Sequence, residues 1–287
     1  MPDNELMVTE TMVPVNGIEL CVETFGEPGD PALLLIGGAA GSMDWWDDEF
    51  CRRLAAEGRL VVRYDHRDTG RSTSFPAGDP PYSDVDLAQD ALGVLDALGL
   101  HRAHLVGLSM GGNLAQRIAV EHPHRVLSLT LMSTSTVPPA YEMTAPDDEP
   151  GPAPDWSDRR SAVDALVADV RRLGGPFTAD EPHLRRLAAR VFDRTGDMAA
   201  SQTNHFCCAG GPPLRDRLGS ITAPALVLHG TLDPFFPAEH ARTLAAEIPG
   251  ARLVWLEGVG HEYPPAAVWT QVIQEIIGQA GRRTEPA

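Results

Sequence analysis

Short, almost wholly apolar runs alternate along this chain with segments of helical periodicity, and this alternation limits the fold more than any other feature. The segment 84–98 has apolar residues at i, i+3, i+4 and i+7, with Ser83 and Asp86 as a cap at its start and Gly99 at its end. The apolar runs have the length of buried strands and lie at 32–36, 60–64, 104–108, 126–132, 225–229 and 252–256. Strands separated by helices pair in parallel, because each helix returns the chain to the end of the sheet where it began. The sequence therefore predicts an α/β fold, with a mostly parallel central sheet and helices on both faces.

Turn and stop signals bound two further elements. Asn16 and Gly17 form the pair best suited to a two-residue hairpin turn, and they lie between two strand segments within 12–26. This hairpin predicts an antiparallel edge for the sheet. A second helix follows Ser109 and stops before Pro123, since proline cannot continue a helix.

The alternation of strands and helices is interrupted once. After about residue 134 the chain is rich in proline and aspartate, and amphipathic helical patterns follow at 163–173 and 183–192. We therefore expect a helical cap inserted into the core, which would cover the carboxyl ends of the strands, where open α/β sheets bind ligands. The predicted division is a first core part at 1–133, the cap at 134–215 and a second core part at 216–287.

Composition and charge exclude several classes of function. The formal net charge of −17 repels the nucleic acid backbone and anionic lipid head groups, so neither is an expected partner. The chain contains no lysine, which excludes Schiff-base chemistry and a phosphate-loop lysine. No apolar run approaches the roughly 18 residues of a membrane span, and the first residues lack the basic and apolar regions of a secretory signal. We expect a cytoplasmic protein that binds a small molecule.

The cysteine and histidine patterns predict no metal, no cofactor and no disulfide framework. Cys21, Cys51, Cys207 and Cys208 show no C-x-x-C pairing, and no histidine spacing matches a zinc motif. The adjacent Cys207 and Cys208 are more typical of small apolar filler in a pocket wall than of redox chemistry.

The segment around Ser109, Gly107-Leu108-Ser109-Met110-Gly111, lies between an apolar strand and a helix. A dinucleotide-binding fingerprint would need glycine where Ser109 stands, and a phosphate loop would need a lysine. A nucleophile elbow requires this G-x-S-x-G pattern, because its serine adopts a strained backbone and the glycines let strand and helix approach closely. The pattern predicts that Ser109 is a nucleophile.

Two further loops follow strands that should end at the same edge of the sheet. A serine hydroxyl needs a positioned histidine to take its proton, and that histidine needs an acid to orient it. Asp233 follows the strand at 225–229, and His261 follows the strand at 252–256. The alternatives are a turn-forming Asp-Pro and a surface histidine. The common position after each strand favours a catalytic set of Ser109, His261 as base and Asp233.

Acyl transfer also needs backbone N–H groups that stabilise the oxyanion, and a cavity for the substrate. Met110, which follows the nucleophile, should supply one N–H, and we place the second at Ala39 in the loop after the strand at 32–36. An apolar, partly aromatic pocket is predicted from Trp45, Trp46, Trp156, His205, Phe206, Phe235, Phe236 and Tyr263. Packing in the core is an equal alternative for the aromatic residues, and for His205, in the predicted cap, substrate contact is the less favoured of the two alternatives.

The elbow, acid and histidine together resemble the α/β-hydrolase superfamily over nearly the whole chain. The segment 63–73, RYDHRDTGRST, is similar to the loop after the fourth strand in that superfamily. It most resembles the branch that contains the aclacinomycin methylesterases, which cleave a carboxyl methyl ester from a polyketide. The resemblance implies structural roles for Asp65, Arg67 and Gly70. One departure is Gly37-Gly38, where most of the superfamily has His-Gly before the oxyanion residue.

The leading hypothesis is a cofactor-independent serine hydrolase that cleaves a carboxylic ester through an acyl-enzyme on Ser109. The resemblance implies a methyl ester of a polyketide-like secondary metabolite. On the same fold, the bond could instead be a lactone, a carbon–carbon bond or an amide, as in proline iminopeptidases. An aminopeptidase needs acidic cap residues that hold a substrate ammonium, and the candidates, which fit a solvated acidic loop better, are Asp147, Asp148, Glu149 and Asp155. A non-catalytic ligand receptor is the third hypothesis.

Overall fold

A computed structural model describes residues 10–137 and 153–281. Within these residues the strands are β1 Thr11–Val15, β2 Ile18–Phe25, β3 Ala32–Ile36, β4 Leu60–Tyr64, β5 Ala103–Leu108, β6 Val126–Met132, β7 Ala225–Gly230 and β8 Arg252–Leu256. The α-helices are α1 Asp48–Ala56, α2 Asp84–Ala97, α3 Met110–Glu121, α4 Arg159–Leu173, α5 Glu181–Arg194, α6 Met198–Cys207, α7 Ala238–Glu247 and α8 Trp269–Ala280. Each predicted strand is present, and its bounds agree with the prediction to within one residue.

The strands form one sheet with the order β1-β2-β4-β3-β5-β6-β7-β8. Asn16 and Gly17 turn the β1–β2 hairpin with φ angles of 48° and 81°, the left-handed values that this tight turn requires. β2 also pairs antiparallel with β4, whereas every pair from β4 to β8 is parallel. The α/β fold with a mostly parallel sheet and an antiparallel edge is therefore confirmed.

Two apolar layers cover the faces of the sheet, and the alternation of side chains along each strand supplies both. On β3, Leu34 and Ile36 pack into the layer that holds α2, α3 and α7, while Leu33 and Leu35 pack into the layer that holds α1 and α8. The strands β3 to β7 are buried on both sides, which explains why their sequences are almost continuously apolar.

Three helices, α4, α5 and α6, lie between β6 and β7, where the sequence predicts a cap. They share a small apolar cluster of their own, formed by Val163, Leu166, Val167, Leu184, Ala188, Val191 and Met198. The boundaries at 134 and 215 stay a prediction. Asp147, Asp148 and Glu149 lie outside the described residues, and Asp155 is exposed and hydrogen-bonded to Ser157.

Candidate active site

Ser109 lies in the turn from β5 to α3 with φ 52° and ψ −117°, a strained conformation for a residue with a side chain. A Cβ atom at Gly107 would lie 2.2 Å from the Gly111 carbonyl oxygen, and a Cβ at Gly111 would lie 2.2 Å from the Ile36 carbonyl oxygen. Only glycine fits at both positions, which is the physical reason for the G-x-S-x-G pattern. The Ser109 carbonyl accepts a hydrogen bond of 2.8 Å from Thr134 Oγ1, which helps to hold the strained turn.

Ser109, His261 and Asp233 are brought together by three loops at one edge of the sheet. His261 Nε2 lies 3.1 Å from Ser109 Oγ, and His261 Nδ1 lies 2.9 Å from Asp233 Oδ2. The other carboxylate oxygen of Asp233 accepts the backbone N–H groups of Phe235 and Phe236, each at 2.9 Å. The acid is therefore fixed on one side by backbone and on the other by the imidazole.

The ionisation of Asp233 determines which nitrogen of His261 carries the proton. Burial by itself would raise the pKa of Asp233, but the hydrogen bond and charge of His261 and the N–H of Phe236 lower this pKa below its ordinary value. The carboxylate is ionised at neutral pH and accepts the Nδ1–H of His261. Nε2 is then free to accept the Ser109 hydroxyl proton.

The loop 37–41, called the oxyanion loop below, lies beside Ser109. A Cβ at Gly38 would be 3.6 Å from Ser109 Cβ, in ordinary contact. No group within residues 10–137 and 153–281 accepts the N–H of Ala39. Met110 is the first residue of α3, so its N–H has no acceptor inside the helix. Two free N–H groups therefore flank the serine.

The Tyr263 hydroxyl explains the glycines of the oxyanion loop. It accepts the Gly38 N–H at 3.0 Å, and a Cβ at Gly37 or Gly41 would lie 3.0 or 2.5 Å from the hydroxyl oxygen. The ring therefore fills the space that a larger residue at position 37 would need, in the place where most of the superfamily has histidine. His66 Nε2 lies 3.2 Å from the Gly37 carbonyl oxygen on the same loop.

Four of the predicted pocket residues lie around the site. The Phe235 ring meets His261 edge-on at 4.9 Å, and the buried Phe236 ring lies 5.6 Å from the same imidazole. Trp45 stacks on Tyr263 with ring centroids 6.4 Å apart, and both Trp45 and Trp156 are half-buried against the apolar cluster of the cap. Trp45 therefore contacts both the histidine loop and the apolar cluster of the cap, whereas Trp156 is placed only against that cluster.

The structure corrects three other pocket assignments. Trp46 is a core residue with 1% of its surface exposed, packed on Phe50, whereas Phe206 points into solvent with 71% exposed. Both ring nitrogens of His205 are bonded to backbone, Nδ1 to the Ala40 N–H and Nε2 to the Arg67 carbonyl, so neither is left for a substrate. Of the adjacent cysteines, Cys207 is exposed and Cys208 is half-buried against the main core.

The segment 63–73 supports the site through buried polar contacts. The carboxylate of Asp65 accepts the backbone N–H groups of Met43 at 2.8 Å and Arg71 at 3.0 Å. Gly70 has φ 50°, and a Cβ there would overlap the Asp65 carboxylate. Arg67 forms two hydrogen bonds of 2.5 and 2.8 Å with the buried Asp90. These are the structural roles that the resemblance implies.

Glu262, which sequence reasoning missed, joins the histidine loop to the cap. Its carboxylate accepts the Gly175 N–H at 2.9 Å and the Thr178 hydroxyl at 2.8 Å, and the His261 N–H donates to the Leu173 carbonyl at 2.7 Å. The one available signal was its position next to His261.

In the described parts of the chain, no three His, Cys, Asp or Glu side chains are grouped closely enough to hold a metal ion. Among the helices described there, none has both the length and the apolar character needed to cross a bilayer.

Comparison with known proteins identifies the family. Residues 31–263 match the profile of the alpha/beta hydrolase fold. Rhodomycin D methylesterase DauP from Streptomyces sp. (strain C5) is 37% identical, and DnrP from Streptomyces peucetius is 36% identical. Each alignment covers 89% of this chain and 93% of the relative. The enol-lactonase structure from Burkholderia xenovorans LB400 is 26% identical, covers 95% of this chain and all of its own, and superposes with a TM-score of 0.74. The chain therefore belongs to the alpha/beta hydrolase fold family, next to its methylesterase branch, and is a hydrolase.

Proposed function

We propose that this protein is a cofactor-independent serine hydrolase that cleaves a carboxylic ester through an acyl-enzyme on Ser109. The observation that carries the proposal is the continuous hydrogen-bonded path from Ser109 Oγ through His261 to Asp233, with distances of 3.1 and 2.9 Å. A ligand receptor would have no need for this arrangement, nor for a strained serine beside unoccupied N–H groups.

In the first half of the reaction, His261 Nε2 takes the hydroxyl proton while Ser109 Oγ attacks the ester carbonyl carbon. The negative charge that develops on the carbonyl oxygen is stabilised by the N–H groups of Ala39 and Met110, and loss of one such donor typically costs about 100- to 1,000-fold in kcat. The tetrahedral intermediate collapses, and the leaving alkoxide takes the proton from His261 and departs as the alcohol. The acyl group then remains on Ser109.

In the second half, a water molecule gives one proton to His261 Nε2 and adds to the acyl carbonyl. Collapse of the second tetrahedral intermediate breaks the bond to Ser109 Oγ, which recovers its proton from His261, and the carboxylic acid leaves. Asp233 remains ionised throughout and stabilises the imidazolium that forms in each half, which agrees with its lowered pKa.

We propose a methyl ester of an aromatic, polyketide-like molecule as the substrate class. Two relatives that align over most of their length are named rhodomycin D methylesterases. The half-buried rings of Trp45 and Phe235 offer flat apolar surfaces beside the histidine loop, which suits a planar acyl group. Methanol, as the leaving group, needs little space.

A lactone is the second candidate, because an enol-lactonase shares this fold over nearly the whole chain. The same residues would act, with the leaving alkoxide still tethered to the acyl group. For the aminopeptidase alternative, the one acidic candidate within the described residues, Asp155, is exposed and engaged with Ser157, so no observation favours it.

The test is steady-state hydrolysis of aryl esters, bulky aromatic methyl esters and lactones by the wild type and by Ser109→Ala, with the exposed Ser220→Ala as the matched control. We expect Ser109→Ala to lower kcat by about 10⁴-fold or more and the control to match the wild type. Aromatic methyl esters should have the highest kcat/KM. Turnover that survives in Ser109→Ala would refute the assignment of Ser109 as the nucleophile. Turnover of lactones alone would favour a lactone over an ester as the substrate class.

A further inference from the structure

The cap contributes a side chain to the conformation of the oxyanion loop. We propose that His205, on α6, is a positioning residue that holds the turn 38–41 in the form that presents the Ala39 N–H to the reacting carbonyl. The inference rests on the proposed acyl-transfer function, because it concerns how one oxyanion donor is kept in place.

The turn has an identifiable type. The Gly41 N–H donates to the Gly38 carbonyl at 3.2 Å. Ala40 has φ 61°, whereas φ of Ala39 is not positive. A positive φ at the third position alone defines a type II turn, in which glycine is the usual residue. With alanine at this position the turn is strained, so a contact outside the turn must favour it over type I.

His205 makes that contact with the central peptide of the turn. Its Nδ1 accepts the Ala40 N–H at 3.0 Å, and its Nε2–H donates to the Arg67 carbonyl at 2.9 Å, which fixes the neutral tautomer and the ring plane. Types I and II differ by a rotation of about 180° of this central peptide. In a type I turn the Ala40 N–H would point away from His205 and the buried ring would lose a partner.

This peptide adjoins the Gly38–Ala39 peptide, which carries the proposed oxyanion donor. Its rotation would change ψ of Ala39 and φ of Ala40 and would not by itself turn the Ala39 N–H. His205 therefore acts on this donor by holding the turn to which the Gly38–Ala39 peptide belongs, since the Gly38 carbonyl accepts the Gly41 N–H that closes it. Gln202, also on α6, donates to the Ala40 carbonyl at 3.3 Å, while Tyr263 holds the Gly38 N–H from the histidine loop. The donor is therefore held between the cap on one side and the histidine loop on the other.

The kinetic test compares His205→Phe, which removes the acceptor, with His205→Asn, whose amide oxygen can replace Nδ1. His104→Phe is the matched control, because His104 has the same 7% exposure and lies at the end of β5 far from Ser109. On an ester whose turnover requires Ser109, we expect His205→Phe to lower kcat by about 10- to 100-fold with KM changed less than about threefold, since the loss falls on the transition state. His205→Asn should recover kcat to within about threefold of the wild type, and His104→Phe should keep the wild-type kcat.

Amide hydrogen exchange of the oxyanion loop separates this inference from the proposed function, because it needs no turnover. We expect the Ala40 amide to exchange at least about tenfold faster in His205→Phe, and at the wild-type rate in His205→Asn and His104→Phe. An unchanged exchange rate, or an unchanged kcat despite faster exchange, would overturn the role of His205. Absence of turnover in the wild type would refute the proposed function instead. The exchange rates would then show only whether His205 accepts the Ala40 N–H.

Discussion

The helices α5 and α6 attach the cap to the core in different ways. On α6, the Asn204 side chain is fully buried; its Nδ2 donates to Asp68 Oδ2 at 2.9 Å and its Oδ1 accepts the Gly78 N–H at 2.7 Å. On α5 the contacts are ion pairs, and Arg194 binds Asp65 at 2.9 Å and also pairs with Asp44.

This difference indicates which of the two helices is held in one position relative to the core by its contacts. The buried hydrogen bonds of a short amide side chain are directional, and a displaced donor or acceptor stays unsatisfied, so α6 has one position relative to the core loops. Arginine carries five donors on a long stem and can keep an ion pair through small displacements. The helix that contacts the oxyanion loop is thus the one that is held directionally.

The largest expected effect comes from breaking the α6 attachment at Asn204. Asn204→Ala should lower the free energy of unfolding by about 3 kcal/mol, because the Gly78 N–H and one lone pair of Asp68 are left without partners. Urea unfolding measures it, and Gln271→Ala, an exposed residue with a single bond of 3.3 Å, should change stability by less than about 0.5 kcal/mol. Equal losses in both variants would contradict a directional attachment.

An intermediate effect is expected from pH, which acts on α6 through His205. Burial lowers the pKa of His205 from 6.5 to about 4. Between these two pKa values the unfolded chain binds a proton at His205 that the folded chain does not bind. The contribution of His205 to the free energy of unfolding is therefore complete above pH 6.5 and declines as pH falls toward 4. Between pH 7 and pH 5 the stability of the wild type relative to His205→Asn should fall by about 2 kcal/mol.

This pH effect is measured by urea unfolding of both proteins at the two pH values. His101→Asn, which removes an exposed histidine, should show no such change relative to the wild type. A difference between the wild type and His205→Asn that stays constant with pH would show that His205 is not held neutral by burial.

The smallest expected effect is the salt dependence of an ion pair on α5, which should separate α5 from α6. Arg190, with 39% of its side chain exposed, pairs with Asp44 at 2.7 Å and Asp48 at 3.2 Å. Arg190→Met should cost about 1 kcal/mol at low salt, because the buried Asp44 keeps Arg194 as a partner, and this cost should shrink in 1 M NaCl, because salt screens the partly exposed charges of Arg190 and Asp48. The loss of unfolding free energy in Asn204→Ala should not change with salt. If salt reduced the losses in both variants equally, α5 and α6 would not be attached to the core in different ways.

Most of the fold was predictable because its signals are local. A strand covered on both faces must be apolar throughout, and the elbow must have glycine at positions 107 and 111, where a Cβ would overlap backbone. The grouping of Ser109, Asp233 and His261 also followed from sequence, since parallel strands end at one edge of the sheet and the loops after them meet there.

The supporting contacts could not be predicted in the same way. Tyr263 and His205 were expected to face the substrate, but the Tyr263 hydroxyl and His205 Nδ1 are bonded to the oxyanion loop, across sequence separations of 225 and 165 residues. Nothing in their neighbours along the chain indicates these partners. Trp46 and Phe206 show the same limit, since a tryptophan in the core and a phenylalanine in solvent carry no distinct local pattern.

The sequence by itself determined the order of strands and helices, the strained serine turn and the three loops that carry its partners, because steric exclusion and apolar periodicity act over a few residues. Tertiary structure alone decided how the oxyanion loop is held, which aromatic rings lie around the site and which cap helix is directionally attached. Those choices depend on the free energy of burying polar groups, and a buried N–H or carbonyl takes whichever partner the completed fold brings within about 3 Å.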